Sequence, residues 1–131
     1  MDNIAILKPM YDGWAVGDYS KGGDIYDPEV ELKLSPDFPD IGIEPGFQGL
    51  LETMRYWIGA WERPFIVHAD EFIDLGDDKV IVLGYWRGTS KSSGHVVQRN
   101  AAHLWKMRDG KVIKLMLCTD EAEAREFAEH F

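Results

Sequence analysis

The sequence has few of the features that mark several large classes of protein. Its 131 residues include one cysteine, Cys118, so no internal disulfide can form and a disulfide framework is excluded. Apolar runs, such as those at 80–83 and 115–118, extend over only a few residues, whereas a membrane span needs about 20. The sequence therefore predicts no membrane partner.

Basic residues are also scarce. The chain has 14 Lys and Arg against 23 Asp and Glu, a formal net charge of -9, and no basic stripe, so phosphate backbones are repelled and we expect no nucleic-acid partner. The four histidines and Cys118 lack metal-ligand spacing, and no glycine pattern fits a nucleotide, so we expect neither metal nor cofactor. Because the N-terminus lacks the pattern of a secretory signal, we expect a cytoplasmic protein.

The composition is that of an ordinary folded domain, with 45% hydrophobic residues and a large share of aromatic ones. The length predicts a single domain over residues 1–131. Apolar residues recur at helical spacing near the start, and this pattern predicts helices at 3–16 and 47–61. A strand at 29–34 and a Pro- and Gly-rich loop at 35–46 lie between them.

From Phe65 the hydrophobic period changes to two, which is typical of strands. Turn signals at 76–79, 90–94 and 108–111 divide this region. They predict an antiparallel meander of four strands, at 65–75, 79–89, 95–107 and 111–119, followed by a short acidic helix at 121–130. The fold class is therefore α+β, a curved sheet with helices on one face, and its concave interior is where we expect a small-molecule site.

Two local patterns, at 11–18 and at 103–112 with Cys118-Thr119-Asp120 after it, resemble the NTF2-like superfamily. Within it they resemble the SnoaL-like proteins, which are related to polyketide cyclases, ketosteroid isomerases and limonene epoxide hydrolases. The resemblance implies a cone, in which a curved, mainly antiparallel sheet has helices packed on its concave side. It also implies a cavity for a small apolar or aromatic ligand, a homodimer, and cofactor-independent acid–base chemistry.

Three residues are candidates for that chemistry. The resemblance implies that Asp120 faces the cavity as a base, although Thr119-Asp120 before Glu121 is equally good helix-capping sequence. His103 shares a strand face with Arg99 and lies about as far from the 108–111 turn as Asp120 does. A His103–Asp120 pair could tune the imidazole for proton transfer; the alternative is a structural histidine. Arg99 is the candidate for stabilising an anion.

Aromatic side chains are the candidates for binding the ligand, because a ring can cover a flat apolar molecule and supply one hydrogen bond. Core packing is the alternative for each of them. Strand alternation puts Tyr85 and Trp86 on opposite faces, and the sequence leaves open which face lines the cavity. The candidates are Tyr11, Trp14, Trp57, Trp61, Tyr85 and Trp86.

The sequence departs from two of the related enzymes. Lys33 stands near the place of the isomerase's first-strand acid, Ala102 replaces its oxyanion-hole acid, and 101–103 lacks the Arg-x-Asp pair of the epoxide hydrolases. Two functions therefore stay open. One is a ligand-binding, cofactor-independent enzyme of the cyclase, isomerase or dehydratase type, and the other is a non-catalytic module that binds a ligand or dimerises.

Overall fold

The computed structural model describes residues 2–38 and 42–131. Residues 39–41, part of the predicted 35–46 loop, lie outside the described residues. The described helices are α1 (Asn3–Trp14), α2 (Gly46–Gly59) and α3 (Glu121–Ala128), with a single 3-10 turn at Gly23–Ile25. The strands are β1 (Tyr26–Leu34), β2 (Trp61–Gly76), β3 (Lys79–Ser90), β4 (Val96–Arg108) and β5 (Lys111–Cys118).

These strands form one five-stranded sheet in the order β1-β5-β4-β3-β2. The predicted meander, β2 to β5, is antiparallel throughout. β1 is added at the edge, parallel to β5, with Leu32 opposite Leu115. This architecture, helices packed on one five-stranded sheet, is the α+β class predicted from the sequence.

Two hairpin turns fix the register of the meander. Asp77 and Asp78 have φ angles of 54° and 60°, and Asp109 and Gly110 have 52° and 77°. Two consecutive left-handed residues make a type I′ turn, whose twist matches that of the flanking strands. Both turns lie where the Asp- and Gly-rich segments of the sequence predict them.

Side chains on alternate strand positions build a separate apolar layer on each side of the sheet. On the concave side, Val82, Trp105 and Leu115 pack against Leu7 and Met10 of α1. On the outer side, Ile81, Leu104 and Met116 pack against Ala124 and Ala128 of α3. The prediction of helices on the concave side holds for α1 and α2, whereas α3 covers part of the opposite face.

The boundary between α2 and β2 differs from the one predicted. The sequence places Trp61 at the end of the helix and the next strand from Phe65, because Pro64 is read as a helix stop. In the structure α2 ends at Gly59, and Trp61 pairs with Ser90 at the start of β2. Pairing with β3, which local sequence does not encode, thus extends the strand.

Within residues 2–38 and 42–131, none of the helices combines the length and apolar character needed to cross a membrane.

Candidate functional site

The polar centre of the concave side is a chain of three hydrogen-bonded side chains. Nε1 of Trp105 donates to the hydroxyl of Tyr11 over 2.9 Å, and this hydroxyl lies 2.6 Å from Nδ1 of His103. Trp105 and His103 share one face of β4, two residues apart, and Tyr11 reaches them from the buried side of α1. The strand and the helix therefore hold the imidazole between them.

His103 has apolar neighbours on both sides. It lies opposite Val82 of β3 and Leu117 of β5, and its ring meets the ring of Trp14 edge-on at 6.4 Å. His103 is partly exposed. Its Nε2 has no hydrogen-bond partner among the described residues. In that part of the chain, Trp61 Nε1 is the one side-chain nitrogen or oxygen that is both fully buried and without a partner, so Nε2 of His103 is not fully buried. Nε2 of His103 therefore reaches solvent.

Burial sets the protonation of this centre. It raises the pKa of the Tyr11 hydroxyl well above its usual value, although the bond from Trp105 opposes the shift. It lowers the pKa of His103 to about 4, because a charged imidazolium is poorly solvated among apolar side chains. Near neutral pH, Tyr11 is therefore protonated and His103 is uncharged.

Beside His103 a row of small residues crosses three strands. Ala69 of β2, Gly84 of β3 and Ala101 of β4 are direct partners, on the same face as His103 and one step along it. All three are partly exposed. A Cβ on Gly84 would lie 1.7 Å from the carbonyl oxygen of His68, where the register of β2 shifts. The row forms a shallow apolar floor that sequence reasoning missed, since single small residues carry no signal of their own.

The next step along the same face carries Arg99 and Trp86, which are direct partners. Trp86 belongs to an aromatic cluster, with its ring centroid 5.6 Å from Trp57 of α2 and 5.2 Å from Trp61. Arg99 is exposed, and its hydrogen bond is to the carbonyl of Gln98. The predicted candidates Arg99, Trp57, Trp61 and Trp86 thus lie together beyond the small-residue floor.

Two other candidates, Tyr11 and Trp14, are only 3% and 5% exposed. Tyr11 meets Trp14 edge-on at 4.9 Å and Phe72 at 5.4 Å. Both belong to the packed concave core. Tyr11 acts on the site through its hydrogen bond to His103. Local sequence patterns could not predict this contact, because 92 positions separate the two residues.

The structure does not bring Asp120 to His103. The Asp120 carboxylate accepts a hydrogen bond from the backbone N–H of Glu123 at 2.8 Å and forms the N-cap of α3. Its side chain is exposed, and α3 packs on the outer face, opposite to His103. The capping alternative describes this geometry, and the predicted His103–Asp120 pair is not formed because strand β5 ends before Asp120.

Tyr85 also lies away from the other candidates. It faces outward, where its ring stacks on His68 with centroids 5.1 Å apart. The alternation along β3 that places Trp86 on the concave side requires this orientation.

Two open depressions lie elsewhere on the surface. One, of about 360 Å³, lies where Asp18 and Tyr19 face Pro64 and Phe65. The other, of about 460 Å³, lies between the sheet edge at Lys33 and the end of α3 at Phe127. Neither includes His103, so a cavity at that residue stays a prediction. Among residues 2–38 and 42–131, no cluster of three His, Cys, Asp or Glu side chains is arranged to hold a metal ion.

Comparison with solved structures confirms the fold. TerC, co-crystallised with polyporic acid, is 25% identical over 97% of this chain and 98% of its own, with a TM-score of 0.74. An NTF2-like protein from Burkholderia thailandensis is 22% identical over 98% of this chain and 96% of its own, with a TM-score of 0.77. A protein assigned as a SnoaL-like polyketide cyclase from Mesorhizobium loti is 17% identical over 90% and 99%, with a TM-score of 0.71.

A search of curated protein sequences finds no match to the chain. The family model of the SnoaL-like domain matches residues 7–115, which include most of α1, all of α2 and most of the sheet. The chain therefore belongs to the SnoaL-like domain family.

Proposed function

We propose that this protein binds a small, largely apolar or aromatic molecule on the concave side of its sheet, and that His103 is the polar group that contacts it. The observation that carries the proposal is the state of His103. One ring nitrogen is bound by Tyr11, the other reaches solvent, and the flanking residues Val82 and Leu117 are apolar. A single oriented polar group on an apolar surface is typical of small-molecule sites.

The small-residue floor of Ala69, Gly84 and Ala101 supports a flat ligand. Ala69 and Ala101 carry one methyl group each and so occupy little space above the sheet, whereas the position that a Cβ on Gly84 would take is occupied by the carbonyl oxygen of His68. Arg99 lies four residues from His103, about 13 Å along the strand. This span suits a molecule of two or three rings, with one end at His103 and the other at the rim.

The charge at the rim supports an acidic substituent on the ligand. Arg99 forms no ion pair among the described residues, and Trp86 beside it offers a ring for stacking. A guanidinium next to an aromatic face binds planar anions well. That TerC was co-crystallised with polyporic acid supports a ligand of this general kind for this chain also.

The chemistry that fits this arrangement is stabilisation of a ligand oxygen on which negative charge develops, as in a cyclisation, isomerisation or dehydration. A neutral histidine can donate a hydrogen bond to an oxygen as negative charge develops on it. Asp120 has no part in this chemistry, because its carboxylate is engaged in capping α3 on the other side of the sheet.

Ligand-dependent thermal stabilisation tests the binding proposal. The panel consists of polyporic acid and aromatic ketones, enones and polyketide-like phenols. A ligand at 100 times its dissociation constant stabilises the folded state by about 2.7 kcal/mol. We expect at least one class to raise the melting temperature, and His103→Leu, which loses one hydrogen bond to the ligand, to reduce that rise by about half.

The matched control is His68→Leu, since His68 is also partly exposed but lies on the outer face of the same sheet. This variant should keep the response. If both variants respond like the wild type, His103 is not part of the ligand site and the proposal fails.

A second candidate function is a dimerising module. It is favoured by the part of the outer face that α3 leaves uncovered, where His68 and Tyr85 stack and Val96 is 67% exposed. A homodimer through this surface predicts twice the chain mass in sedimentation, and a monomer for Tyr85→Glu. The control is Tyr56→Glu on α2, which is 72% exposed and should remain dimeric. A monomeric wild-type protein would rule out this candidate.

A further inference from the structure

The hydrogen-bond chain at His103 fixes more than the position of the ring. The indole nitrogen of Trp105 can only donate a hydrogen bond, and it donates to the Tyr11 hydroxyl. That hydroxyl has one hydrogen of its own, and its remaining neighbour is Nδ1 of His103, 2.6 Å away. The location of this hydrogen decides which nitrogen of His103 carries the ring hydrogen.

Two arrangements are chemically possible. If Nδ1 carried a hydrogen and donated to Tyr11, the hydrogen of the buried Tyr11 hydroxyl would have no acceptor among the described residues. An unsatisfied buried donor costs about 1–3 kcal/mol. If Tyr11 donates to Nδ1, then Trp105, Tyr11 and Nδ1 are all satisfied. The second arrangement places the ring hydrogen of His103 on Nε2, the nitrogen that reaches solvent.

We infer that Tyr11 and Trp105 hold His103 as a permanent Nε2–H donor. The ligand atom to which His103 donates is therefore an acceptor oxygen, such as that of a ketone, a quinone or an enolate. The selection of acceptor atoms rests on the proposed function, whereas the tautomer does not. Tyr11 and Trp105 are positioning residues in this arrangement, because they act on the ligand only through His103.

Protonation agrees with this assignment. Burial keeps the hydroxyl of Tyr11 protonated, so its hydrogen is available for Nδ1. Burial also lowers the pKa of His103, so the ring stays neutral near pH 7 and keeps one hydrogen instead of two. Nδ1 cannot serve as a base while Tyr11 donates to it, so the ring offers the ligand a donor and no acceptor.

The tautomer can be read without any ligand, by long-range nitrogen–proton NMR correlations of protein labelled at the histidine rings. His103→Gln assigns the signals of His103 among the four histidines. We expect the Nε2–H pattern for His103 at pH 7 in the wild type. An Nδ1–H ring would overturn the inference whatever the protein binds.

Tyr11→Phe tests the role of Tyr11 in holding this tautomer. Removal of the hydroxyl frees Nδ1, so His103 should show a mixture of both tautomers. Tyr26→Phe is the matched control, since Tyr26 lies in the same core but its hydroxyl donates a hydrogen bond to the sulfur of Met10, at 3.4 Å, and not to His103. It should leave the pattern unchanged. A pure Nε2–H pattern in Tyr11→Phe would remove Tyr11 from the inference.

The acceptor requirement is tested with two bicyclic probes of the same skeleton, the ketone 1-tetralone and the hydrocarbon tetralin. One hydrogen bond predicts about tenfold tighter binding of the ketone. The ketone should also shift the Nε2–H signal, and His103→Leu should remove its advantage. Equal affinity for the two probes overturns the acceptor requirement. Binding of neither probe, together with no response to any class of the thermal-stabilisation panel and with the Nε2–H pattern present, overturns the proposed function and leaves the tautomer standing.

Discussion

The hydroxyl of Tyr11 on α1 lies 2.6 Å from Nδ1 of His103 on β4. This contact joins the first helix to the middle of the sheet, and the bond from Trp105 to the same hydroxyl strengthens the junction. The stability of the fold, the protonation of His103 and its proposed contact with a ligand therefore all depend on the hydroxyl of Tyr11.

Tyr11→Phe should destabilise the fold by about 1–3 kcal/mol, because it leaves the buried indole N–H of Trp105 without an acceptor. Urea denaturation measures the change. Tyr26→Phe, which loses only a weak contact with the sulfur of Met10, should cost less than about 1 kcal/mol. Equal costs for the two variants would show that the Trp105–Tyr11 bond adds nothing to stability.

Stability should fall as the pH drops below about 6.5. Burial lowers the pKa of folded His103 to about 4, from a usual value of 6.5. The unfolded chain therefore takes up this proton first, and acid favours unfolding until folded His103 is protonated as well. The loss attributable to His103 is about 2 kcal/mol at pH 5 relative to pH 7.5.

This dependence is isolated by a comparison with His103→Gln in urea denaturation at both pH values. Other groups titrate alike in the two proteins, so the difference between them belongs to His103. The variant should lose about 2 kcal/mol less stability than the wild type between pH 7.5 and 5. An identical decline in both proteins would contradict the expected pKa.

Asp120→Ala should destabilise the fold by about 1 kcal/mol, because it removes the carboxylate that caps α3 at the N–H of Glu123. Asp120→Asn should be almost neutral, since Asn caps as well as Asp. Thermal or urea unfolding measures both variants. Glu121→Ala is the control for charge. It breaks the exposed ion pair with Arg125, and it should cost less than about 0.5 kcal/mol.

With a substrate in hand, the same variants test for a chemical role of Asp120. A cap alone predicts near wild-type turnover in Asp120→Asn. A large loss of turnover with unchanged stability would instead return Asp120 to the catalytic machinery.

Gly84→Ala should be strongly destabilising, because its Cβ would meet the carbonyl oxygen of His68 at 1.7 Å and force β2 and β3 apart. Gly59→Ala is the matched substitution at the end of α2. Apart from its chain neighbours and the backbone of α2, no atom of residues 2–38 and 42–131 lies within 4 Å of the Cβ that this alanine adds, so it should stabilise the fold by about 0.5–1 kcal/mol. Melting temperatures that move together would contradict this distinction.

The strands and turns could be predicted from the sequence because the patterns that indicate them are local. The alternation from Phe65 onward and the turn residues Asp77, Asp78, Asp109 and Gly110 specify hairpins without reference to the rest of the chain. The start of β2 at Trp61 could not be predicted in the same way, since it depends on pairing with Ser90.

The candidate site was predictable in part. His103, Arg99 and Trp86 share the concave face. Strand alternation predicts that they lie on the same face as soon as the face of one of them is known. Which face is concave follows only from the packing of α1 and α2 there. The apolar positions of α3, Ala124 and Ala128, show that the helix has a buried side but not which face of the sheet it covers. The side that α3 covers, in turn, separates Asp120 from His103.

The parallel pairing of β1 with β5 constrains the order in which the chain can mature. β5 is the sheet neighbour of β1, and Tyr11 on α1 binds residues of β4. α1 and β1 are therefore synthesised before β4 and β5, the strands with which they pair or pack. During that interval Leu7, Met10 and Val30, all buried in the finished protein, are exposed on the nascent chain. Such long-range closure slows folding, and it leaves the apolar side chains of α1 and β1 without their packing partners until the last strands of the sheet have been made.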